Sequence, residues 1–175
     1  DELIALKSGR AKAIANYVYN NKNGNESSDD GWDFRGRGIK QLTGRNNYAG
    51  FQSFYNANNP NNKKDFLNNE EHKKELITNG RVALLSAVWF WNDKKYPNKG
   101  KIVAWQGKYL YEIADDETNG NKTTQAIDNT SKQNINLTQS QRVISILVNG
   151  STNGLTDRRD AYNRINNNDI FKNFN

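Results

Sequence analysis

The chain has 175 residues, a net charge of +6 and an isoelectric point of about 9.4. Its mean hydropathy is low, at -1.00, but 4 Trp, 8 Tyr and 7 Phe in helix-length apolar segments exclude disorder for the whole chain. The absence of cysteine excludes disulfides and thiolate chemistry, and no apolar run approaches the roughly 20 residues of a membrane span.

The basic residues are spread along the chain. Lysine pairs at 63–64, 73–74 and 94–95 lie far apart, and no run reaches the density of a nucleic-acid-binding arm. We therefore expect solvated basic faces and no nucleic-acid partner. A basic surface also attracts anionic lipid or an anionic cell wall, and the net charge alone does not choose between these.

The N-terminal segment is predicted to be helical. Residues 3–20 place Leu and Ile near helical spacing, which favours an amphipathic helix that Gly9 interrupts. Residues 20–31 are a loop by composition, because Asn-Gly and Asp-Gly pairs are typical of turns. Residues 32–38 alternate briefly and are expected to form a short strand or an extended turn.

Two further helices are predicted before residue 80. One begins within residues 40–56, with Phe51 and either Phe54 or Tyr55 facing inward. The other covers residues 66–77 and is a weakly amphipathic surface helix. A polar connection separates the two.

The centre of the chain holds its most hydrophobic segment. Residues 80–91, "GRVALLSAVWFW", are apolar nearly all round, which predicts a buried central helix. Residues 101–117 fit a helix or a hairpin equally well. Residues 118–136 are rich in Asn, Thr, Lys and Gln and are expected to form a long loop.

The C-terminal part is predicted to contain two helices. Thr138 and Gln141 have the spacing of a capping box, so a helix should begin there and end at Asn149-Gly150. A last helix would begin with Thr156 as its N-cap. The chain therefore reads as a single mainly-α domain over residues 1–175, with at most one small β-hairpin or sheet.

Four segments resemble glycoside hydrolase family 19, the chitinases and phage-type endolysins. "GWDFRGRGIKQLTGRNNYAGF" is similar to the core motif of that family, and "IANYVYNNKNGNE" to the segment before it. "SAVWFW" resembles its central aromatic helix, and "VNGSTNGLTDRRDAY" its C-terminal Asn-Gly and Asp-Arg segment. The pieces occur in family order from about residue 14 to 165. The resemblance implies a lysozyme-like fold with an active-site cleft between two helical lobes.

The resemblance also implies a reaction. Family members hydrolyse a β-1,4 bond beside N-acetylglucosamine or N-acetylmuramic acid with inversion, which needs an acid and a base roughly 6.5–9.5 Å apart. Glu26 matches the general base, and an exposed loop carboxylate with an ordinary pKa would be ionised as that role requires. Thr43 matches the hydroxyl residue that helps to hold the attacking water, and a helix N-cap is its alternative role.

Three amides match sugar-binding positions of the family. They are Gln41, Asn47 and Asn149, and amides suit this task because they donate to and accept from hydroxyl and acetamido groups. Asn149 has the alternative role of a helix C-cap. Arg158 matches the arginine that supports the catalytic carboxylates, and Arg159 is one place away.

Three more residues have structural alternatives. Arg37 is expected to buttress the Gly-Arg-Gly loop rather than to touch sugar. Trp89 and Trp91 are candidates to line a cleft by stacking on sugar rings, and core packing is expected for at least one of them.

The chain departs from the family in two places. Family members carry the general acid in a His-Glu motif on an early helix, and no such motif occurs here, where His72 is the only histidine. The domain is therefore expected to lack an N-terminal segment, or one of Asp29, Asp30 and Asp33 stands in as proton donor. Residues 106–138 are also longer than the compact endolysin pattern.

The leading prediction is a peptidoglycan-degrading glycoside hydrolase of muramidase or endolysin type. A chitinase is one alternative, and a non-catalytic or split carbohydrate-binding domain is another. We expect a monomer that is secreted or delivered to the periplasm or cell wall as a phage lysin, autolysin or toxin effector, with an immunity or inhibitor protein as a candidate partner. No cofactor and no metal site is predicted.

Overall fold

A computed structural model describes the backbone of residues 2–168 and the side chains of residues 9–168. Over this range the chain forms nine α-helices, one short 3-10 helix and one two-stranded antiparallel sheet. The prediction of a mainly-α fold with one small sheet is confirmed. None of the helices in this range is long and apolar enough to cross a bilayer.

The helices and strands follow one another in this order. The first five helices are α1 (Glu2–Tyr19), α2 (Asp30–Asp33), α3 (Arg45–Asn58), α4 (Glu70–Thr78) and α5 (Gly80–Asp93). After the 3-10 helix (Val103–Trp105) come α6 (Leu110–Ala114), α7 (Glu117–Gly120), β1 (Thr123–Ile127), β2 (Asn134–Thr138), α8 (Gln139–Asn149) and α9 (Leu155–Asn167).

The chain divides into two compact units, Asp1–Phe90 and Trp91–Asn175, and the division falls inside α5. In the first unit, aromatic side chains from α3 and the following loop make the core. Phe51 lies at its centre, with ring centroids 5.0 Å from Phe66, 6.0 Å from Tyr55 and 6.0 Å from Trp89. Tyr55, and not Phe54, is therefore the inward-facing residue of the predicted pair.

The second unit has two small apolar clusters. One joins the sheet to α9 through Ala126, Ile135, Leu137 and Leu155. The other packs Trp105, which is fully buried, against α6 and α8. Polar contacts described below also hold the loops of this unit.

Residues 118–136 are not the loop that their composition predicts. They contain most of α7, all of β1 and most of β2, and the strands pair in a register that places Ala126 opposite Ile135. These two side chains and Leu137 point to the core, while the polar side chains alternate outward. Because Asn and Thr occupy the solvent face of the two strands, the composition of this segment indicates a loop rather than a hairpin.

Three other predictions change. α1 runs through Gly9 without interruption. α5 is not buried all round, because Leu84 is 55% exposed and Val88 44% exposed. The N-cap of α9 is Gly154, so Thr156 lies inside the helix rather than before it.

Candidate active site

The loop that carries Glu26 is fixed by an ion pair between a buried carboxylate and a half-buried arginine. Asp30 is 2% exposed, and its carboxylate accepts hydrogen bonds from the backbone N–H groups of Glu26 at 2.9 Å and Ser27 at 3.1 Å. Arg45, the first residue of α3, grips both oxygens of this carboxylate, with Nε at 2.9 Å and Nη2 at 2.7 Å. The loop is therefore tied to the start of α3.

Electrostatics keeps this pair ionised. The Arg45 hydrogen bonds, aided by the two backbone donors, lower the pKa of Asp30 from 3.8 to about 2. The pKa of Arg45 is raised, chiefly by its hydrogen bond to Asp30 and further by the charge of Glu26 nearby. Glu26 itself is exposed, so its carboxylate remains open to water and to a ligand.

Backbone contacts bring the same loop against the start of α3. The carbonyl of Asn23 accepts from the N–H of Asn46 at 3.0 Å, and Asn25 Oδ1 accepts from the N–H of Arg45 at 3.0 Å. Gly44 has a φ of +91°, and a Cβ on it would lie 2.3 Å from Asn23 Cβ. Only glycine allows so close an approach of the two segments.

Thr43 precedes Gly44 and therefore lies beside this junction. Its Oγ1 donates to the carbonyl of Gln41 at 2.8 Å, and its own carbonyl accepts from Asn47 Nδ2 at 2.7 Å. A Cβ on Gly36 would lie 3.3 Å from Thr43 Oγ1 and 2.8 Å from Gln41 Oε1. Thr43, Gln41 and Asn47 thus form one group around the Gly36 turn.

The alternative role of Thr43 as an N-cap is wrong. α3 begins at Arg45 with Gly44 as its cap, and no side chain caps that end. The hydroxyl of Thr43 instead donates to Gln41, a residue with a left-handed φ of +59°. Its lone pairs are left as acceptors, which suits a hydroxyl that positions water.

Arg37 lies under the turn and is 1% exposed. Its Nη1 donates to the carbonyl of Asp33 at 2.7 Å and to Tyr48 Oη at 2.9 Å, and its Nη2 donates to Glu70 Oε1 at 2.7 Å. These contacts agree with the expected buttressing role. The guanidinium joins the turn to α3 and α4.

Asn149 and Arg158 belong to the second unit. Asn149 is the last residue of α8, and Gly150, with a left-handed φ, takes the C-cap position. The Nδ2 of Asn149 donates to the carbonyl of Ser145 at 3.0 Å. Arg158 donates from Nη2 to the carbonyl of Asn153 at 2.6 Å, so it holds the turn between α8 and α9. The sugar-binding and carboxylate-supporting roles of these two residues remain predictions.

The two tryptophans of α5 have different environments. Trp89 is 8% exposed and packs on Phe51 and against Gly50, so it is a core residue. Trp91 is 36% exposed and lines a pocket of the second unit. The prediction that at least one of these two tryptophans packs in the core is therefore confirmed for Trp89.

Asp30 and Arg45 were missed as a functional pair by sequence reasoning. The sequence "SSDDG" reads as turn chemistry, and Asp30 was a candidate proton donor. That role is wrong, because a buried carboxylate with a pKa of about 2 holds no proton to give at neutral pH. The 15-residue separation from Arg45 leaves no local pattern, so only the folded loop reveals the pair.

No group of three or more metal-ligating side chains occurs among the residues that the structure describes. His72 instead accepts a hydrogen bond at Nδ1 from the backbone N–H of Asp65 at 2.9 Å. The Glu26 loop and the Thr43 turn, which adjoin the same end of α3, carry a carboxylate, a hydroxyl and amides, and groups of these types can orient a water molecule and hydrogen-bond a sugar.

Comparison with known proteins supports the family resemblance. The chain is 36% identical over 94 residues to a glycosyl hydrolase family 19 domain-containing protein of Haemophilus influenzae. The resemblance to glycoside hydrolase family 19 is confirmed. The match covers 52% of this chain, and the chain spans 41% of the length of that curated relative. No protein-family model matches the chain.

Proposed function

We propose that the chain is the part of a peptidoglycan-cleaving glycoside hydrolase that carries the general base. In this proposal Glu26 removes a proton from water, which then attacks the anomeric carbon of a β-1,4 bond with inversion. Thr43 accepts a hydrogen bond from the same water. Gln41 and Asn47 hydrogen-bond the sugar, and the sugar-binding role of Asn149, in the second unit, stays a prediction from the resemblance.

One observation carries the proposal. The Asp30–Arg45 pair and the Asn23 and Asn25 contacts tie the polar loop that carries the exposed Glu26 to the start of α3, which directly follows the Thr43 turn. A general base must be held near its water, because positioning supplies much of the rate. The Asp30–Arg45 ion pair supplies this order to the loop that carries Glu26.

Peptidoglycan is favoured over chitin by charge. The wall is anionic and chitin is neutral, and a chain with a net charge of +6 is attracted to the wall before any specific contact forms. Activity on this substrate requires the protein to be secreted or delivered to the periplasm or cell wall. A chitinase activity is the alternative that a comparison of the two substrates tests.

The experiment is a turbidity assay on purified cell walls. We expect Glu26→Gln to lower the initial rate by about 10²–10⁴-fold, because the amide does not accept the proton of water. Glu71→Gln is the matched control, since Glu71 is an exposed glutamate on α4 paired with Lys74. Equal rates for wild type and Glu26→Gln would remove Glu26 from the mechanism. Chitooligosaccharides in the same assay series identify the substrate class.

Carbohydrate binding without hydrolysis is a second candidate function. It is favoured by the acids near Glu26, because Asp30 is locked to Arg45 and Asp29 pairs with Lys12 at 3.1 Å. Each of these two carboxylates is thus paired with a cationic side chain. Wall binding in a pull-down, with no loss of turbidity for wild type, would favour this function. Gene sequence upstream of Asp1 that encodes a His-Glu helix would favour hydrolysis.

A further inference from the structure

The second unit contains a pocket away from the Glu26 loop in sequence. This α8–α9 pocket encloses about 320 Å³ and is lined by, among others, Trp91, Gln141, Ile144, Arg158, Arg159 and Tyr162. Its volume lies at the lower end of the range for ligand sites, which suits one or two sugar rings. The sequence analysis gives separate roles to two of these residues, sugar stacking to Trp91 and support of the catalytic carboxylates to Arg158, and does not predict that they share a pocket.

Two aromatic side chains in the pocket are exposed to solvent. Trp91 is 36% exposed and Tyr162 is 51% exposed. Large apolar rings on a concave surface offer faces for a ligand that is apolar on one side and polar at its edges. A pyranose ring has this character, with C–H groups on its faces and hydroxyls around its rim.

The charge of the pocket is positive. Arg158 and Arg159 line it, and no Asp or Glu is among its lining residues. The bonds of Arg158 go to neutral groups, the Asn153 carbonyl at 2.6 Å and Ser145 Oγ at 3.4 Å. These contacts order the guanidinium without cancelling its charge, and a guanidinium has five N–H donors, so donors remain for an anion.

Arg159 is ordered by a different contact. Its Nε and Nη2 both donate to Asp160 Oδ1, at 2.9 and 2.7 Å. The Asp160 side chain is 46% exposed, so water screens this pair strongly. Nη1 of Arg159 is not used in either bond, which leaves the planar group able to donate to a second carboxylate.

Amide and hydroxyl groups complete the wall. Gln141 uses Oε1 to accept from the N–H of Thr138 at 2.9 Å, which fixes its side chain and leaves its NH₂ group as a donor. Thr138 belongs to residues 106–138, the segment that departs from the compact family pattern. That segment therefore supplies part of the pocket wall, through Asn121, Leu137 and Thr138.

We propose that the α8–α9 pocket binds an amino sugar that carries a carboxylate, the chemistry of N-acetylmuramic acid. The aromatic rings contact the sugar face, the two guanidinium groups take the carboxylate, and Gln141 donates to the acetamido oxygen. This inference rests on the proposed function, because it names the component of the wall that the second unit recognises. A neutral sugar such as N-acetylglucosamine lacks the group that the arginines bind.

Direct binding to the whole chain tests the proposal. Nuclear magnetic resonance titrations with N-acetylmuramic acid and with N-acetylglucosamine compare two sugars that differ by the lactyl carboxylate. We expect N-acetylmuramic acid to bind about tenfold more tightly and to shift backbone amides in residues 139–145 and 155–162. Equal affinities, or shifts confined to the first unit, would overturn the proposal.

A third ligand separates two sources of the carboxylate. In muramoyl dipeptide the lactyl carboxyl is an amide, and the negative charge lies on the peptide. Tighter binding of N-acetylmuramic acid assigns the arginines to the lactyl carboxylate, and tighter binding of muramoyl dipeptide assigns them to the stem peptide. Both outcomes keep an anionic wall sugar in the pocket.

Variants on α9 provide matched controls. Arg159→Gln is expected to weaken N-acetylmuramic acid binding about tenfold and to leave N-acetylglucosamine binding unchanged, whereas Tyr162→Ala weakens both. Arg164→Gln, an exposed arginine of the same helix, controls for lost net charge, and Tyr17→Ala, 87% exposed on α1, for a lost aromatic. If Arg159→Gln and Arg164→Gln have equal effects, the arginine assignment is wrong. Thermal melts verify that each variant is folded.

The binding measurements do not depend on hydrolysis. They are repeated in Glu26→Gln, where the proposed base is absent and the α8–α9 pocket is unchanged. If the wild-type chain binds N-acetylmuramic acid selectively but does not cleave the wall, the proposed role of the pocket is supported and the proposed function is contradicted. Cleavage that depends on Glu26, without tighter binding of N-acetylmuramic acid than of N-acetylglucosamine, would support the proposed function and contradict the proposed role of the α8–α9 pocket.

Discussion

At the scale of single residues, the buried carboxylate of Asp30 orders the loop that carries the exposed carboxylate of Glu26. Asp30 accepts two backbone N–H groups of the Glu26 loop and two N–H groups of Arg45. Charged hydrogen bonds of this kind are stronger than neutral ones, and a buried charge without its partner is costly. The loop therefore depends on the ionised form of Asp30.

We predict that Asp30→Asn destabilises the protein by about 1–3 kcal/mol at neutral pH. The amide has one acceptor oxygen for four donors, and its NH₂ group faces donors instead of accepting from them. Urea unfolding followed by far-UV circular dichroism measures the change. Asp29→Asn is the matched control, because Asp29 is exposed and its surface pair with Lys12 contributes little. Similar losses for the two variants would contradict the role of Asp30.

The same pair predicts a pH dependence. Folding lowers the pKa of Asp30 from 3.8 to about 2, so the unfolded chain binds this proton more readily than the folded chain. Stability from Asp30 is therefore complete well above pH 3.8 and is lost as the pH falls through 3.8 toward 2. The stability difference between wild type and Asp30→Asn should shrink over this interval, which unfolding curves at about pH 6, 4 and 3 measure.

Sequence reasoning reached some of these residues and not others. The family resemblance points to Glu26 in one segment and to Gln41, Thr43 and Asn47 in the next, and the fold ties these two segments together. The Asp30–Arg45 pair has no local signature, because side chains 15 positions apart meet only after the loop has folded onto α3.

At the scale of elements, the β-hairpin is held by a second buried carboxylate. Asp128, 1% exposed, lies in its turn and accepts from the backbone N–H groups of Thr130 at 2.8 Å, Gly154 at 3.1 Å and Thr156 at 2.8 Å. The bond from Thr156 is the largest cause of a lowered pKa of Asp128. One side chain thus fixes both the hairpin turn and the first turn of α9.

We predict that Asp128→Asn loosens both elements together. The amide keeps one acceptor oxygen and loses the negative charge, so it cannot hold the hairpin turn and the α9 N-terminus at once, and the bonds to both become weaker. Hydrogen exchange should become faster at Thr130 and Thr156 alike. Asp157→Asn, an exposed acid in the first turn of α9, should leave both rates unchanged. Faster exchange at only one of the two sites in Asp128→Asn would mean that the elements are not coupled through this residue.

The sequence predicts the start of helix α8 more clearly than it predicts the two strands of the hairpin. The capping box of α8 forms as its spacing predicts, with Thr138 Oγ1 accepting from the N–H of Gln141 and Gln141 Oε1 accepting from the N–H of Thr138. The hairpin was missed because its inner face needs only Ala126, Ile135 and Leu137, which is too few to stand out among Asn and Thr. Local hydrogen-bonding rules could be applied from the sequence, whereas strand pairing could not.

At the scale of the whole molecule, the net charge of +6 favours binding to anionic peptidoglycan over binding to neutral chitin. Long-range attraction between a basic protein and an anionic polymer is screened by salt, since the Debye length falls from about 10 Å at 0.1 M to about 3 Å at 1 M. Attraction to neutral chitin has no such component.

We predict that binding to purified peptidoglycan falls several-fold between about 50 and about 300 mM salt, while binding to chitin changes little. Co-sedimentation of the chain with each insoluble polymer measures both. A salt-independent affinity for peptidoglycan would mean that net charge does not select the wall. Arg164→Gln, which removes one exposed charge, should reduce wall binding only slightly.

The four tryptophans differ enough in burial for their fluorescence emission maxima to differ. Trp105 is fully buried and Trp89 nearly so, and indole in such apolar surroundings emits at shorter wavelength than indole near water. Trp91, in the α8–α9 pocket, and the half-buried Trp32 supply the red side of the emission band. A sugar that covers Trp91 would therefore move the fluorescence of the unlabelled protein toward the blue, so the pocket carries its own optical reporter.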